Sequence, residues 1–493
     1  MTTYYPSLEQ ARKIAAAGDY RVIPVKRELY SDFCTPIRAL RILQEVSTHT
    51  FLLESIEDHE QWGRYTFLGY HPTMEITCTD GHMRIRAGST IRLETDHPGT
   101  YLRQILNENR SPKIADMPSF TGGLVGYFSY DYIKYAEPTL DLSCPDDEGF
   151  QDVDLMLFDK VICFDNYRQK IILIANVRIS ELETDYRRAC SDLDQMANLL
   201  IQGQPQPAPL GHMHGELKPV FEREAYCAMV EKAKHYIREG DIFQVVLSNR
   251  LEADYEGSLL NVYRVLRTTN PSPYMFYFSS DNIELAGASP ETLVKLQDGV
   301  LHTFPLAGTR PRGKTAEEDA ALEAGLLEDP KELSEHNMLV DLGRNDLGKI
   351  SQFGTVQVEQ YHQVLKYSHV MHIGSTVAGE IRPDKDAVDA VDAVLPAGTL
   401  SGAPKFRACQ IIHELEGNKR GIYGGAVGYL DFTGNLDTCI AIRLAFKKNG
   451  KVYVRSGAGI VADSVPETEY QECINKAMAV VKALEISEGG LQS

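Results

Sequence analysis

The chain has 493 residues, of which 43% are hydrophobic and 24% are charged, and its formal net charge is −19 at pH 7. These values are typical of a soluble globular protein with about two or three domains. The negative charge argues against nonspecific binding to nucleic acid or to an anionic membrane.

The sequence also indicates a compartment. Residues 1–20 carry acidic side chains and no apolar core segment, so they do not resemble a signal peptide. No apolar run approaches the roughly 18 residues of a membrane span. The nine cysteines are scattered and form no C-x-x-C pair, which favours reduced thiols and a cytoplasmic location.

The N-terminal part of the chain is predicted to be rich in strands. The apolar patterns predict strands at 65–68, 73–79, 155–164 and 170–177, and a helix at 180–201. The following segment, 202–219, is rich in proline and glycine and predicts a linker or a long surface loop. We therefore expect an N-terminal domain at 1–201 and a C-terminal domain at 220–493.

Beyond the predicted linker, helices and strands alternate. A helix at 221–239 precedes strands at 241–250, 367–377 and 439–446, and the last element is a long amphipathic helix at 466–485. Two similar segments, GGLVGY at 122–127 and GGAVGY at 424–429, are both predicted to be strands that begin at glycine. We expect an α+β fold with large, mostly antiparallel β-sheets flanked by helices.

Two pairs of glutamates at i,i+3 spacing have the arrangement of a metal site: Glu332 and Glu335, and Glu469 and Glu472. Each pair follows a segment typical of a helix start, with Asp329 or Ser464 as the cap and a proline soon after it. Residues three apart share a helix face, so two such helices can direct four carboxylates at one Mg²⁺ ion. Each pair alone is more typical of an exposed helix face than of a metal site.

Four further polar residues are candidates for chemistry. Glu291 can act as a general acid if burial raises its pKa, and Arg443, in the predicted strand 439–446, can bind a carboxylate with two hydrogen bonds. His372 is expected on one face of the strand 367–377, together with Ser368. Thr399 falls in a glycine- and proline-rich loop at 395–405. Taken singly, they also fit an exposed glutamate, a sheet arginine in a salt bridge, a core histidine and a turn residue.

The glycines at 457 and 459 follow a predicted strand and leave room for backbone N–H groups to approach an anion. With Ala462 they also match a dinucleotide-binding fingerprint. That match is weak, because the next helix starts several residues late and no acidic residue stands about 20 residues further on.

Several longer motifs together resemble the chorismate-utilising enzymes and, within that family, the large subunits (component I) of anthranilate synthases. They are GDIFQVVLSNR (240–250), PSPYMFYF (271–278), GASPETLV (287–294), PLAGTRPRG (305–313), ELSEHNMLVDLGRND (332–346), PAGTLSGAPK (396–405), YGGAVGY (423–429) and GAGIVADS (457–464). The resemblance covers nearly the whole chain and implies the α+β fold of that family.

The resemblance implies a site for chorismate and Mg²⁺. It assigns the metal to Glu335 and Glu472, with Glu332 and Glu469 nearby or linked through water. The residues that it implies for substrate binding are Gly308, Thr309, Tyr423, Arg443, Gly457, Ala458, Gly459 and Lys476.

The resemblance also implies catalytic roles. Glu291 is the candidate acid for the departing C4 hydroxyl of chorismate, Thr399 lies beside the substrate, and His372 occupies the position associated with pyruvate elimination. Relatives that add water carry a lysine where Gln244 stands, and relatives with a covalent lysine nucleophile carry it where Ala307 stands. Neither glutamine nor alanine can do that work, so ammonia is the expected nucleophile.

A second implied site binds L-tryptophan as a feedback inhibitor. Its residues are Leu53, Glu54, Ser55, Pro273, Tyr274 and Met275, which come from both predicted domains. The same segments, taken alone, also fit a strand end packed between domains. The sequence contains no Gly-x-Cys-x-Gly elbow of a glutaminase, so we expect ammonia to come from a glutamine amidotransferase subunit or from free ammonium.

Three other functions are compatible with parts of the sequence. An aminodeoxychorismate synthase component is the nearest enzyme, and Ala307 and the tryptophan-site match argue against it. A catalytically silent tryptophan-binding subunit would have lost at least one of the site residues named above. A nucleotide-binding module would need a better context for the glycines at 457 and 459.

Overall fold

The computed structural model describes residues 3–55, 63–146, 148–207, 209–366, 370–488 and 490–491. The strands are β1 (Tyr4–Tyr5), β2 (Val22–Tyr30), β3 (Thr50–Glu54), β4 (Tyr65–Tyr70), β5 (Met74–Thr79), β6 (His82–Ala87), β7 (Ser89–Glu94), β8 (Gly123–Phe128), β9 (Val153–Phe158), β10 (Lys160–Asp165), β11 (Lys170–Arg178), β12 (His212–Pro219), β13 (Gln244–Glu256), β14 (Tyr274–Ser279), β15 (Glu284–Ser289), β16 (Thr292–Gln297), β17 (Val300–Thr303), β18 (Leu306–Pro311), β19 (Gln357–Lys366), β20 (Val370–Glu380), β21 (Gly402–Ala403), β22 (Ala426–Asp431), β23 (Leu436–Ile440), β24 (Leu444–Lys448) and β25 (Lys451–Ile460).

The helices in the described ranges are α1 (Leu8–Ala15), α2 (Pro36–Gln44), α3 (Pro98–Asn107), α4 (Ile133–Ala136), α5 (Leu182–Gln202), α6 (Arg223–Arg238), α7 (Leu260–Thr269), α8 (Ala316–Glu328), α9 (Pro330–Gly348), α10 (Ala387–Val394), α11 (Lys405–Glu416) and α12 (Pro466–Glu488). Among the described residues, none of these helices has the length and apolar content needed to cross a membrane.

The strands form two antiparallel sheets. The first sheet has the order β1-β2-β11-β10-β4-β3-β14-β15-β24-β25-β13-β12, with β21 paired to β13. The second sheet has the order β18-β20-β17-β16-β23-β22-β8-β9-β5-β6-β7, with β19 paired to β20. The predicted α+β class with large antiparallel sheets is confirmed.

The two sheets pack face to face, and helices cover their outer faces. Along β8, Val125 and Tyr127 point into an aromatic layer between the sheets, whereas Leu124 and Phe128 pack beneath α3 and α10. This alternation is the period-two geometry of a strand that is buried on both faces. Helices α2, α5, α7 and α12 cover the first sheet in the same way. The layers are therefore helices, sheet, sheet and helices.

Both sheets are built from both ends of the chain. Strands β1–β11 supply one contiguous part of each sheet and β12–β25 the other. The two parts join where β3 pairs with β14 and where β8 pairs with β22. The similar segments at 122–127 and 424–429 therefore contribute neighbouring strands, with Gly126 opposite Gly428. The domain boundary that we expect at 201–220 stays a prediction.

Two local predictions differ from the structure. The apolar run 155–164, predicted to be one strand, contains a turn at Asp159, where the chain passes from β9 in the second sheet to β10 in the first. Both strands are buried on both faces, so no change in the apolar pattern marks the break. In the predicted linker 202–219, the second half forms the exposed edge strand β12, which is held by main-chain pairing to β13.

Candidate active site

A cavity of about 610 Å³ lies between the C-terminal parts of the two sheets. Helix α9 reaches it from the second sheet, packed on β18 and β20, and α12 reaches it from the first sheet, packed on β25. The predicted residues that line this cavity are Glu291, Gly308, Thr309, Glu332, Glu335, His372, Thr399, Tyr423, Arg443, Gly457, Gly459, Glu469, Glu472 and Lys476. Residues from nine separate segments of the sequence are thus brought to one place.

Glu291 follows β15 and is enclosed by protein where its carboxyl group faces the cavity. Its Oε1 accepts a hydrogen bond from Thr399 Oγ1 at 3.0 Å. Burial raises the pKa of Glu291 to about 7, although the Thr399 hydroxyl, Arg443 and Lys476 favour the charged form. A carboxyl group with this pKa can hold a proton near neutral pH and release it to a leaving group.

His372 lies on β20 and faces Gly308 and Thr309 of β18. Its Nδ1 is 2.8 Å from the carbonyl oxygen of Gly308 and 3.1 Å from Thr309 Oγ1. A carbonyl oxygen only accepts, so Nδ1 carries the proton and the basic lone pair is on Nε2. Burial lowers the pKa of His372, so the ring is neutral at pH 7. The first three residues of the predicted strand 367–377, including Ser368, lie outside the described residues.

Helix α9 begins as predicted. The side chain of Asp329 accepts from the backbone N–H groups of Lys331 and Glu332. The predicted cap of α12 is wrong, because Ser464 Oγ accepts from the N–H of Val461 at 3.1 Å and the helix begins at Pro466. The Ser464 hydroxyl therefore stabilises the turn that precedes α12.

The four glutamates repel one another across the cavity. Burial and the carboxylates of Glu332 and Glu472 raise the pKa of Glu335, and burial and Glu472 raise that of Glu469. Two cations offset part of this charge: Lys476 lies 2.7 Å from Glu472, and Arg310 lies 3.1 Å from Glu332. Several negatively charged oxygen donors around one cavity are suitable ligands for a hard divalent cation.

The carboxylates do not converge on one point. In the part of the chain that the structure describes, the group of three ligand side chains with ligand atoms within 4.8 Å of one another is His49, Glu75 and Asp281. There Arg86 bonds both carboxylates, at 2.5 and 2.8 Å. A cation at the cavity would have to draw the glutamates together.

Arg443 also lines the cavity, but the strand predicted for it is wrong. Strand β23 ends at Ile440 and β24 begins at Leu444, and Arg443 between them has φ of 51°. The left-handed region is costly for a residue with a side chain, and such strain is concentrated at binding sites. The apolar neighbours of Arg443 conceal this break in the sequence.

The glycines of β25 give the cavity its backbone wall. Gly457 and Gly459 face the cavity, whereas Ala458 points to the opposite face and is fully buried, so only its main chain can reach a ligand. A Cβ at Gly459 would lie 2.7 Å from Nε2 of Gln244. Glycine at this position therefore leaves the room that the Gln244 side chain occupies.

Gln244 is one of the residues that line the cavity. Its side chain is almost fully buried, and its Oε1 has no hydrogen-bond partner among the residues that the structure describes. A buried carbonyl oxygen without a partner is costly, and a ligand with N–H groups would remove that cost.

Two charged residues of the cavity, Lys331 and Arg455, are absent from the predicted set. Arg455 of β25 lines the cavity and donates to Glu416 Oε2 at 2.7 Å and to Ser248 Oγ at 2.8 Å. Arg420 holds the other oxygen of Glu416 at 2.6 Å. An arginine inside the apolar strand VYVRSG is the signal that could have identified Arg455.

A second pocket contains all six residues predicted for tryptophan. Leu53, Glu54 and Ser55 come from the end of β3, and Pro273, Tyr274 and Met275 come from the start of β14, which pairs with β3. The carboxylate of Glu54 bonds Arg267 of α7 at 2.6 and 3.1 Å, as well as the Tyr263 hydroxyl. Ser55 Oγ is buried without a hydrogen-bond partner within the described ranges. Ser55 therefore offers the pocket a polar contact.

Comparison with known proteins identifies the family. The family model for chorismate binding enzymes matches residues 49–482. The chain belongs to the chorismate binding enzyme family.

Within this chorismate binding enzyme family, the chain is similar to anthranilate synthase component 1 of Acetivibrio thermocellus. The two are 45% identical, and the alignment covers 98% of this chain and 99% of the relative. The chain is 44% identical to anthranilate synthase component 1 of Acinetobacter calcoaceticus. That alignment covers 98% of this chain and 99% of the relative. The predicted resemblance to anthranilate synthase large subunits is confirmed.

Two solved structures have folds similar to that of this chain. The crystal structure of anthranilate synthase component I from Streptococcus pneumoniae TIGR4 matches with a TM-score of 0.74 at 38% identity, over 92% of this chain and 98% of that one. The menaquinone-specific isochorismate synthase of Escherichia coli matches with a TM-score of 0.69 at 21% identity, over 97% and 98%. The second similarity concerns the fold alone.

Proposed function

We propose that this chain converts chorismate and ammonia into anthranilate and pyruvate, the reaction for which its curated relatives are named, as a step of tryptophan biosynthesis. The observation that carries the proposal is the chemistry of one cavity. An acid with a pKa of about 7, Glu291, and a neutral imidazole, His372, line it together with the cations Arg443 and Lys476.

The wall of the cavity favours ammonia as the nucleophile. Ala307 and Gln244 both line it. Alanine cannot form a covalent adduct with the ring, and an amide cannot remove a proton from water. The amide oxygen of Gln244 can accept a hydrogen bond from ammonia, which needs no base to become a nucleophile.

The reaction then has two stages. In the first, ammonia forms a bond to C2, both ring double bonds shift by one position, the C4 hydroxyl leaves as water with the proton of Glu291, and the new ammonium group loses a proton. In the second, a base removes the C2 proton, a C2–C3 double bond forms to complete the aromatic ring, the C3–O bond breaks, and the released enolate of pyruvate takes up a proton. We assign His372 to this second stage, and Arg443 and the amides of β25 to orienting the enolpyruvyl carboxylate.

The glutamates of α9 and α12 fit Mg²⁺. Glu335 and Glu472 would hold the ion, with Glu332 and Glu469 as direct or water-linked partners. When bound, Mg²⁺ offsets the negative charge of the substrate carboxylate and of the cavity. The net charge of −19 makes such an offset necessary for a dianionic substrate.

The second pocket supports feedback inhibition by L-tryptophan. Its apolar and aromatic wall, with residues such as Phe67, Met275 and Tyr429, suits an indole ring. Ser55 Oγ would accept from the ammonium group of the amino acid. Inhibition that survives Ser55→Phe would contradict this assignment, because the larger side chain fills the pocket.

The source of ammonia is a separate question. The name "component 1" of the relatives supports a second component, and we propose a glutamine amidotransferase subunit as the partner in a cytoplasmic complex. Copurification of the chain with such a subunit, and glutamine-dependent turnover by the complex alone, would test this.

The enzyme assay is direct. The purified chain is supplied with chorismate, Mg²⁺ and ammonium, and products are identified by chromatography, with and without EDTA and tryptophan. We expect anthranilate and pyruvate in equal amounts, loss of both with EDTA, and suppression by tryptophan. Aminodeoxychorismate without pyruvate would favour the nearest related enzyme, and tryptophan binding without turnover would favour a regulatory subunit.

A further inference from the structure

The two pockets share one pair of strands. In the pairing of β16 with β23, Thr292 lies opposite Cys439 and Lys295 lies opposite Asp437. Lys295, Asp437 and Cys439 line the candidate tryptophan pocket. Glu291, which directly precedes β16, lines the catalytic cavity. We call the paired strands β16 and β23 the ribbon. Only a few residues of the ribbon therefore separate Glu291 from the candidate tryptophan pocket.

At its catalytic end, the ribbon fixes the main chain of Glu291. The N–H of Ile440 donates to the carbonyl oxygen of Glu291 at 2.9 Å, and Ser289 Oγ donates to the carbonyl of Ile440 at 2.7 Å. Three residues beyond Ile440, the same segment carries Arg443 in its left-handed conformation. A shift of β23 against β16 would move the acid and the arginine relative to each other.

A tyrosine links the ribbon to the candidate tryptophan pocket. The Tyr274 hydroxyl donates to Asp437 Oδ1 at 2.8 Å and lies 3.0 Å from Thr292 Oγ1. Because the tyrosine proton is directed at the carboxylate, Thr292 Oγ1 donates to the tyrosine oxygen. The ladder between β16 and β23 is irregular between Thr292 and Val294, and such bulges often occur beside active sites. Side-chain contacts therefore hold Thr292 where regular pairing stops.

We infer that Thr292 is a positioning residue for Glu291 and that the Tyr274–Thr292 hydrogen bond couples ligand binding in the candidate tryptophan pocket to the position of Glu291. This inference rests on the proposed function. A ligand that displaces the Tyr274 ring weakens its hydrogen bond to Thr292. The main chain at Thr292 can then move, and the position of the neighbouring Glu291 changes with it. The ligand acts only through different affinities for the two arrangements, so coupling must also appear as a mutual effect of tryptophan and chorismate on binding.

The test measures this coupling directly. Tryptophan is titrated calorimetrically into the full-length chain with Mg²⁺, with and without chorismate, in the absence of ammonia so that amination cannot occur. The ratio of the two dissociation constants is compared among wild type, Thr292→Val and Thr292→Ser. Couplings of this kind are typically about 5- to 150-fold. We expect Thr292→Val to bring the ratio close to one, and Thr292→Ser, which keeps the hydroxyl, to restore it.

A matched control lies on the same ribbon. Thr438 of β23 is buried, and its Oγ1 donates to the carbonyl oxygen of Val294 at 2.9 Å. Thr438→Val removes an equally buried hydroxyl, and we expect it to keep the coupling. Tyr274→Phe removes the same bond together with the bond to Asp437, so adding Thr292→Val to Tyr274→Phe should change the coupling no further. This second variant also tests the inference if Thr292→Val does not fold.

A second measurement separates failure of the inference from failure of the proposed regulation. Because Thr292 positions Glu291, Thr292→Val should shift the pH at which kcat/KM falls, and Thr438→Val should not. If the wild-type chain binds no tryptophan, the proposed feedback role is wrong. The pH profile is then the measurement that tests whether Thr292 positions Glu291. Unchanged coupling in Thr292→Val, or an unchanged pH profile, would overturn the inference.

Discussion

At the scale of single residues, we expect Glu291 to set the pH dependence of the reaction. As the acid it must be protonated, and burial raises its pKa to about 7, so kcat/KM should fall as pH rises through that value. We expect Glu291→Gln to lower kcat by about 10²–10⁴-fold and to remove this basic limb. Steady-state rates of anthranilate formation from pH 5.5 to 9 would measure both effects.

Thr399 provides the matched comparison for this prediction. Its hydroxyl stabilises the charged form of Glu291 and so lowers the pKa of that carboxyl group. Thr399→Val should therefore move the basic limb to higher pH while the limb itself remains. A limb that persists in Glu291→Gln would assign it to another group.

The site residues illustrate what the sequence can predict at this scale. Glu291 and Thr399 stand in long motifs and His372 in a predicted strand, and the structure brings all three to one cavity. The left-handed backbone of Arg443 could not be predicted, because its apolar neighbours have the pattern of a continuous strand. Arg455 was missed because its partner, Glu416, is 39 residues away and becomes adjacent only in the fold.

At the scale of elements, the buried triad of Glu416, Arg420 and Arg455 joins α11 to β25. Burial alone would raise the pKa of Glu416, but the two guanidinium groups outweigh it and lower that pKa. The triad's stabilising contribution is therefore present above the ordinary pKa of the carboxyl and is lost as pH falls through the lowered value. Glu416→Leu should cost about 3–5 kcal/mol in the free energy of unfolding at pH 7, measured by urea titration.

Glu414 is the control on the same helix. It is exposed and accepts hydrogen bonds from Tyr236 at 2.7 and 2.8 Å. Glu414→Gln should change the free energy of unfolding by less than about 0.5 kcal/mol. Equal losses in the two variants would show that burial of the triad does not stabilise the fold.

The glutamates of α9 and α12 predict a metal dependence. Glu335→Gln removes one charged oxygen from the cavity, so Mg²⁺ affinity and turnover should both fall by more than about tenfold. Isothermal titration with Mg²⁺, followed by the chorismate assay, would measure both. Glu467→Gln, on the exposed side of α12 near Glu469, should leave both unchanged. Unaltered Mg²⁺ binding in Glu335→Gln would exclude this carboxylate as a ligand.

The start of α9 followed from local chemistry, whereas strand partners did not. Asp329 caps α9 as predicted, because a cap is a contact between neighbours in sequence. The break at Asp159 and the edge strand β12 depend on which sheet each strand joins. A strand's own residues determine its two faces but not its partner, so these features required the structure.

At the scale of the whole molecule, two strand pairings join the N-terminal and C-terminal parts of the chain. Five residue pairs connect β14 to β3, and six connect β22 to β8. The aromatic layer between the sheets draws on both parts, with Phe51 and Tyr127 from one and Phe276 and Tyr453 from the other. The candidate tryptophan pocket lies on the first of these junctions.

This architecture predicts the behaviour of a divided chain. Cutting between residues 208 and 209 leaves each fragment with two contiguous half-sheets, so each keeps local pairing. Each fragment also exposes two former central strands, and all six residues of β8 are buried in the intact molecule. Long apolar edges of this kind pair with other chains, so the separate fragments should aggregate. Coexpressed fragments should assemble, because each covers the exposed edges of the other.

Size-exclusion chromatography and the chorismate assay would compare the separate and coexpressed fragments. The assembled pair should also recover tryptophan binding, since Ser55 and Tyr274 then meet again across β3 and β14. Soluble, monomeric fragments would contradict the prediction and would mean that each part buries enough of its own surface to fold alone. The junction strands would then be a docking surface between two domains, and mutations at the junction would change regulation more than stability.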